Sequence, residues 1–336
     1  MTERPKIRAG IYGASGYAGQ DVVEILAHHP QVEIVFATSN TYKGESIPFT
    51  NLTYIRSDDA DLSSVDVVFL ALPHGVSANM AAAAAAHGVK VIDLSADLRL
   101  DTPESYKQWY SHEHPHPELL PTPYGLPEIN RANIVGKSMI AAPGCYPTTT
   151  LLGLYPLLKQ HAVLPNTPVI VDAKSGVSGA GRDPKSNLQF VEVFGNFAPY
   201  NPGRVHRHVG EIEQEMYKID PQAGMLIFTP HLLPVDRGLM ASIYVTLKDE
   251  FSAEKAQDLF EETYSHEPLV KVLARGQQAT LKHVVRTNGA AISLTPVTDR
   301  YLHITSVTDN LRKGASGQAV QCFNLMFGFP ETMALL

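Results

Sequence analysis

Cysteine is nearly absent from this chain: among 336 residues there are only Cys145 and Cys322. Two are too few for a disulfide framework, so the fold must be held by its core. A block of Lys and Arg is also missing, and 27 basic residues against 34 acidic ones give a formal charge of −7. Neither nucleic acid nor an anionic membrane is therefore an electrostatically favoured partner. Long apolar runs are lacking too. The most apolar short stretch, residues 80–86, is mostly Ala, falls far short of a bilayer span and reads as a helix. The first residues are polar, unlike a signal peptide, which with the scarcity of cysteine points to the cytoplasm. His206 and His208, at i, i+2, could bind a metal, but no second Cys, His or Asp cluster stands at ligand spacing, and no metal is expected. Hydrophobic residues at 44% and charged ones at 18%, without low-complexity tracts, describe an ordinary globular chain. Its length exceeds what one core usually serves, so two domains are expected.

What is present is an alternation. Residues 6–12 read as a strand running into Gly13-Ala14-Ser15-Gly16-Tyr17-Ala18-Gly19, and residues 20–29 carry helical spacing through Val22, Val23, Ile25 and Leu26. Strands at 32–37, 65–72 and 89–94 with a helix at 77–87 continue the pattern of a parallel sheet with crossover helices. Residues 100–137 hold His112, His114, His116 and Pro115, Pro117, Pro121, Pro123 and Pro127, predicting a loop-rich excursion. A strand at 139–142 then delivers Cys145 at its C-terminal end, where open α/β sheets bind ligands. Beyond it, strands at 169–173, 226–230, 240–247, 270–273, 291–295 and 301–307, with helices near 210–217 and 253–264, suggest α+β. An amphipathic helix at 315–327 could return to the first domain. The expected class is α/β, a Rossmann-type dinucleotide-binding domain (1–145 plus 312–336) joined to an α+β domain (146–311).

Several segments carry chemistry. Pro143-Gly144-Cys145-Tyr146-Pro147-Thr148 places a thiol at a helix start, where N–H groups and peptide dipoles favour a thiolate and could hold an oxyanion. A buried, inert cysteine remains the competing reading; Cys322, on an apolar helix face, reads as core. The glycine loop follows a strand and opens a helix, which suits a pyrophosphate, with Gly13, Ser15, Gly16, Tyr17 and Gly19 as contacts. At the end of the second strand, where a carboxylate would hold an NAD ribose, stand Thr38, Ser39, Asn40 and then Lys43. No carboxylate there opposes a 2′-phosphate, so NADP(H) is favoured, with Thr38, Ser39 and Lys43 nearest. Pro73 and His74 end a strand on the same rim. The loop Ser175-Gly176-Val177-Ser178-Gly179-Ala180-Gly181-Arg182 offers N–H groups and a guanidinium to an anion, or is a flexible hairpin. His206-Arg207-His208 precedes a helix start and offers an acid/base to a cysteine.

Taken in order, these segments together with Asp309-Asn310-Leu311 and Lys313-Gly314-Ala315 resemble the N-acetyl-γ-glutamyl-phosphate reductases of arginine biosynthesis, of the longer type, over nearly the whole chain. One departure is Val209-Gly210-Glu211, where that family usually has Pro before the Glu. The resemblance implies a semialdehyde-dehydrogenase-like second domain for catalysis and oligomerisation, a small acyl-phosphate substrate, NADPH as hydride donor and a homodimer or homotetramer. It implies Cys145 as nucleophile and His208, with His206 as rival, as proton shuttle. Ser178, Arg182 and Arg207 would hold the substrate's anionic groups, and Asn310 would lie near the nicotinamide. A carrier-protein-linked aminoadipyl-phosphate reductase of lysine synthesis shares this logic, and a silent NADP-sensing protein is the reading from a different class.

Overall fold

A computed structural model describes residues 5–336. The chain forms two compact units, one running to Gly144 and including Ala315–Leu336, the other comprising Cys145–Gly314.

The first unit is built on β1 (Ile7–Tyr12), α1 (Tyr17–Ala27), β2 (Val32–Ala37), β3 (Val67–Leu70), α2 (Ser77–Ala86), β4 (Lys90–Asp93), α3 (Pro103–Tyr110), α4 (Pro127–Ile134) and β5 (Met139–Ala141). The five strands form one sheet in the order β2-β1-β3-β4-β5, parallel throughout. Val67, Val68, Phe69 and Leu70 are all fully buried, the continuous apolar run of a strand covered on both faces. The chain leaves β1 for β2 on one side and later returns as β3 on the other, so a crevice opens beyond the C-terminal ends of β1 and β3. The C-terminal helix, Gly317–Phe327, belongs to this unit: Gln318 donates to the Gly125 carbonyl (2.6 Å) and Gln321 to Glu128 (3.0 Å). Cys322 is fully buried, its thiol donating to the Gly125 carbonyl at 3.2 Å.

The expected loop-rich excursion contains two helices instead, α3 and α4, each opened by a proline. Proline breaks a helix only from inside; at the first position its missing N–H costs nothing and its φ is already helical. Thr102 completes the start of α3 by accepting the Ser105 N–H.

The second unit holds α5 (Cys145–Lys159), β6 (Val169–Gly176), α6 (Phe190–Val193), β7 (Ala198–Pro199), α7 (His208–Ile219), β8 (Leu226–Leu233), β9 (Leu239–Thr246), α8 (Ala253–Tyr264), β10 (Val270–Val272), β11 (Ala290–Pro296) and β12 (Tyr301–Thr308). Its seven strands run β10-β11-β12-β9-β6-β8-β7. Alternation is clean along β6 and β9: Val169, Val171 and Ala173, and Leu239, Ala241 and Ile243, are buried. Helix α5 packs on β9 and β12, with α7 and α8 beside it. Gly153 lets α5 approach, since a Cβ there would stand 2.6 Å from Ile243 Cδ1. Among the described residues no helix is long and apolar enough to cross a membrane.

Candidate active site

Cys145 opens α5 immediately after the Pro143-Gly144 turn. Within a helix the first-turn N–H groups of Tyr146 and Thr148 lack an acceptor one turn earlier, and Pro147 has no N–H to satisfy. The start of α5 is thus a region of positive potential around a partly buried thiol. Gly314 lies against that residue: a Cβ on it would meet Cys145 Cβ at 2.9 Å and Cys145 Cα at 3.3 Å. Gly314 closes a turn by donating its N–H to the Asp309 carbonyl (2.9 Å).

Tyr146 is buried, its hydroxyl donating to the His231 carbonyl (3.3 Å) and accepting from the Tyr200 hydroxyl (3.0 Å). Burial raises both phenolic pKa values; the neighbouring Tyr200 raises that of Tyr146 further, and negative charge on Cys145 adds a smaller upward push to both. His206 sets its ring edge-on to Tyr146, Tyr200 and Phe228, with centroids 5.7, 5.5 and 5.4 Å away. Its Nδ1 accepts the His208 backbone N–H at 3.2 Å, which leaves the proton of the neutral ring on Nε2. Burial, and secondarily the Arg207 guanidinium, hold the His206 pKa down at about 4. His208 is the first residue of α7, its ring 4.8 Å from that of His206 and 6.0 Å from Tyr146.

Ser178 lies in a 3₁₀ turn just after β6, an ordered continuation of the strand in place of a flexible hairpin. Its Oγ accepts from Asn310 Nδ2 (3.0 Å), while Asn310 Oδ1 accepts the Gly238 N–H (2.8 Å). Arg182 and Arg207 are exposed.

In the first unit, the glycine loop and the end of β2 meet. Gly13 has φ +72°, and a Cβ there would stand 2.3 Å from the Ala71 carbonyl oxygen; a Cβ on Gly19 would stand 2.3 Å from that of Gly13. Gly16 differs, because a Cβ there would meet protein only at 3.5 Å. The fold itself does not need glycine at that position, whereas a pyrophosphate close to the backbone does. Ser15 Oγ and Ser39 Oγ are 2.8 Å apart, and Ser39 also accepts the Tyr42 N–H. Thr38 is fully buried and accepts the Gly13 N–H (3.3 Å) and the Ser57 hydroxyl (3.4 Å), so it braces the loop from behind. Lys43 pairs with Asp59 at 3.0 Å, while the end of β2 itself carries no carboxylate. The partner comes from a segment sixteen residues further on, beyond the reach of a local reading. Pro73 and His74 are exposed in the turn after β3, with His74 beside Tyr110 and His112.

Residues 8–137 match the family model described as semialdehyde dehydrogenase, NAD binding domain, and residues 145–310 that of the dimerisation domain. The N-acetyl-γ-glutamyl-phosphate reductase of Moorella thermoacetica is 44% identical over 340 residues, covering 98% of both chains. That of Cellvibrio japonicus is 41% identical over 98% of each. The chain belongs to the N-acetyl-γ-glutamyl-phosphate reductase family. Among solved structures, aspartate semialdehyde dehydrogenase II of Vibrio cholerae has a TM-score of 0.77 at 20% identity, covering 97% of this chain and 99% of that one. The likeness confirms the two-part α/β class for this reductase-family chain.

The geometry adds residues that sequence reasoning passed over. Tyr200 joins the site through Tyr146, yet it lies in the irregular stretch after β7 with no periodic signal to single it out. Asp97 accepts the N–H groups of Gly75 (2.7 Å) and Ala78 (3.0 Å) and the Tyr106 hydroxyl (2.8 Å), pinning the turn that carries Pro73 and His74. Arg99 donates to the carbonyls of Leu94 (2.8 Å) and Ala142 (2.9 Å), tying together the segments that leave β4 and β5. Both stand in the Ser95–Arg99 stretch after β4, where an isolated acid and base within five positions were the available hint.

Proposed function

We propose that the chain catalyses the NADPH-dependent reduction of N-acetyl-γ-glutamyl phosphate to N-acetylglutamate 5-semialdehyde with release of phosphate, as a cytoplasmic homodimer or homotetramer. The observation that carries this reading is the partly buried thiol of Cys145 at the start of α5, in a chain 44% identical to a reductase of that name. Cys145 thiolate attacks the γ-carbonyl, the oxyanion being held by first-turn N–H groups, and phosphate leaves to give a thioester. Ser178, Arg182 and Arg207 hold the anionic groups. NADPH, when bound, supplies the hydride that reduces the thioester. His208 gives a proton to the developing oxygen and takes it back as the thiohemiacetal collapses to aldehyde and thiolate. His206 is the weaker choice, because a ring with a pKa of about 4 is a poor acid near neutrality. Gly13, Ser15, Gly16, Tyr17 and Gly19 fit a pyrophosphate, Ser39 and Lys43 its ribose phosphate, with Thr38 bracing them and Pro73 and His74 along the rim.

The reverse reaction tests this. Wild-type protein should oxidise N-acetylglutamate semialdehyde with NADP and phosphate far faster than aspartate semialdehyde, and Cys145→Ser should lose that turnover while binding NADPH normally. Equal use of aspartate semialdehyde, or turnover retained in Cys145→Ser, would overturn the reading.

A further inference from the structure

We propose that Asp59 is a specificity-determining residue of the cofactor site, which engages the Lys43 ammonium otherwise open to a ribose 2′-phosphate and so holds down the preference for NADPH over NADH. The two groups are 3.0 Å apart, and their side chains are 55% and 50% exposed. An exposed pair of this kind adds little to stability, so stability does not account for it. Its placement is built into the backbone. Beyond β2 the chain runs beside residues 53–57: Ile55 donates its N–H to the Ala37 carbonyl (3.2 Å), and Ser39 donates its own to the Ile55 carbonyl (2.9 Å). Ser57 then donates its N–H to Asn40 Oδ1 (3.2 Å) and its hydroxyl to Oγ1 of the buried Thr38 (3.4 Å). Ser57–Asp59 is a 3₁₀ turn, in which the Asp59 N–H reaches the Arg56 carbonyl (3.1 Å). Lys43 is fixed from the other side, because its neighbour Tyr42 donates its N–H to Ser39 Oγ (3.1 Å), the hydroxyl that also meets Ser15 Oγ at 2.8 Å. A carboxylate from outside the strand pattern is thus delivered to the rim where Ser15, Ser39 and Lys43 gather.

Charge decides the consequence. The hydrogen bond from Lys43, its charge and, more weakly, Arg56 hold the Asp59 carboxyl below the usual carboxylate range, so it is ionised near neutrality. A phosphate monoester carries a charge of about −1.5 to −2 at pH 7. At this rim it would meet an ammonium already paired and a like charge beside it, which disfavours the ionised phosphate. NADH offers a hydroxyl at the same ribose position, and a carboxylate accepts from a hydroxyl. One acidic side chain therefore works in two directions, against the extra phosphate of NADPH and toward the bare ribose of NADH. This inference rests on the reductase reading above, in which Ser39 and Lys43 face the ribose phosphate.

Fluorescence titration of NADPH and of NADH into wild type, Asp59→Asn and Lys43→Gln tests it without turnover. Asp59→Asn should bind NADPH about fivefold tighter than wild type and NADH no tighter. The gain should shrink as ionic strength rises from about 0.02 M to about 0.5 M, because both charges are exposed to screening. Lys43→Gln should bind NADPH about fivefold or more weakly, with NADH within about twofold of wild type. In the reverse reaction, the ratio of kcat/KM for NADP over that for NAD should rise about fivefold in Asp59→Asn. An NADPH affinity unchanged or weakened in Asp59→Asn, or a parallel rise for both cofactors, would overturn the role of Asp59. So would a Lys43→Gln variant with wild-type NADPH affinity, since the cation to be engaged would then be elsewhere. If Asp59→Asn melts more than about 2 °C below wild type, Asp59→Ser replaces it under the same expectations. Wild-type protein that binds NADPH but leaves N-acetylglutamate semialdehyde untouched overturns the functional reading, and the titrations still judge Asp59; an active wild type with an unchanged cofactor ratio in Asp59→Asn overturns only the proposal.

Discussion

His206 is kept neutral by the same aromatic walls that surround the site. Tyr146, Tyr200 and Phe228 exclude water from its ring, and the ring has given one nitrogen to the His208 backbone N–H. Its pKa is about 4 in the folded chain, against about 6.5 unfolded. Between those values the unfolded chain binds the extra proton, so stability rises with pH through this window. The contribution is fully present above pH 6.5 and is lost as pH falls toward 4. Its size is on the order of 3 kcal/mol if the whole shift is realised. His206→Asn should therefore show a shallower loss of stability between pH 6.5 and pH 4 than wild type. Urea titrations at several pH values measure this, and parallel curves for the two proteins would show that His206 titrates normally. A ring locked neutral can polarise and orient, which favours His208 over His206 in the proposed proton transfer.

At the scale of elements, glycines in one loop separate what the fold needs from what a ligand needs. Gly13 is required twice over, by its positive φ and by the Ala71 carbonyl 2.3 Å from where a Cβ would sit. Gly13→Ala should cost about 2 kcal/mol or more. Gly16→Ala should leave the melting temperature within about 2 °C of wild type yet weaken NADPH binding tenfold or more, since its Cβ has ordinary room against protein and would intrude only on the proposed pyrophosphate. Thermal melts and cofactor titrations read both; a destabilised Gly16→Ala with normal NADPH affinity would mean that the loop is a structural turn. This half of the fold was legible because apolar runs, a glycine loop and helical spacing follow one another within a single βαβ unit. The cysteine at its helix start was legible for the same reason. What local pattern hid was of two kinds. Proline was read as a breaker where it begins α3 and α4. Contacts distant in sequence were invisible, such as Asn310 on Ser178, 132 positions away, and Tyr200 on Tyr146, 54 away.

For the molecule as a whole, the seven-stranded sheet of the second unit poses a burial problem that one chain does not solve. Its helices α5, α7 and α8 cover the face carrying Val169, Val171, Ala241 and Ile243, all buried to at least 99%. The alternate positions on the neighbouring strands β9, β6 and β8 hold Tyr244, Ile170 and Ile227, paired across the sheet, and remain 44%, 42% and 39% exposed. A contiguous apolar row on an otherwise polar surface is the signature of an interface, and residues 145–310 match a dimerisation-domain model. If a second copy covers this face with two-fold symmetry, Ile170 lies near its own counterpart, and Ile170→Lys would bring two ammonium groups together without solvent to separate them. Size-exclusion chromatography with light scattering should then give the variant the mass of one 36.7 kDa chain, against a multiple of it for wild type, with far-ultraviolet circular dichroism preserved because the substituted side chain points away from the core. A variant with the wild-type mass would locate the interface elsewhere. If a tetramer dissociates only to a dimer, the open sheet face is one of two interfaces, and the exposed Phe190, Phe194 and Phe197 become the next positions to charge.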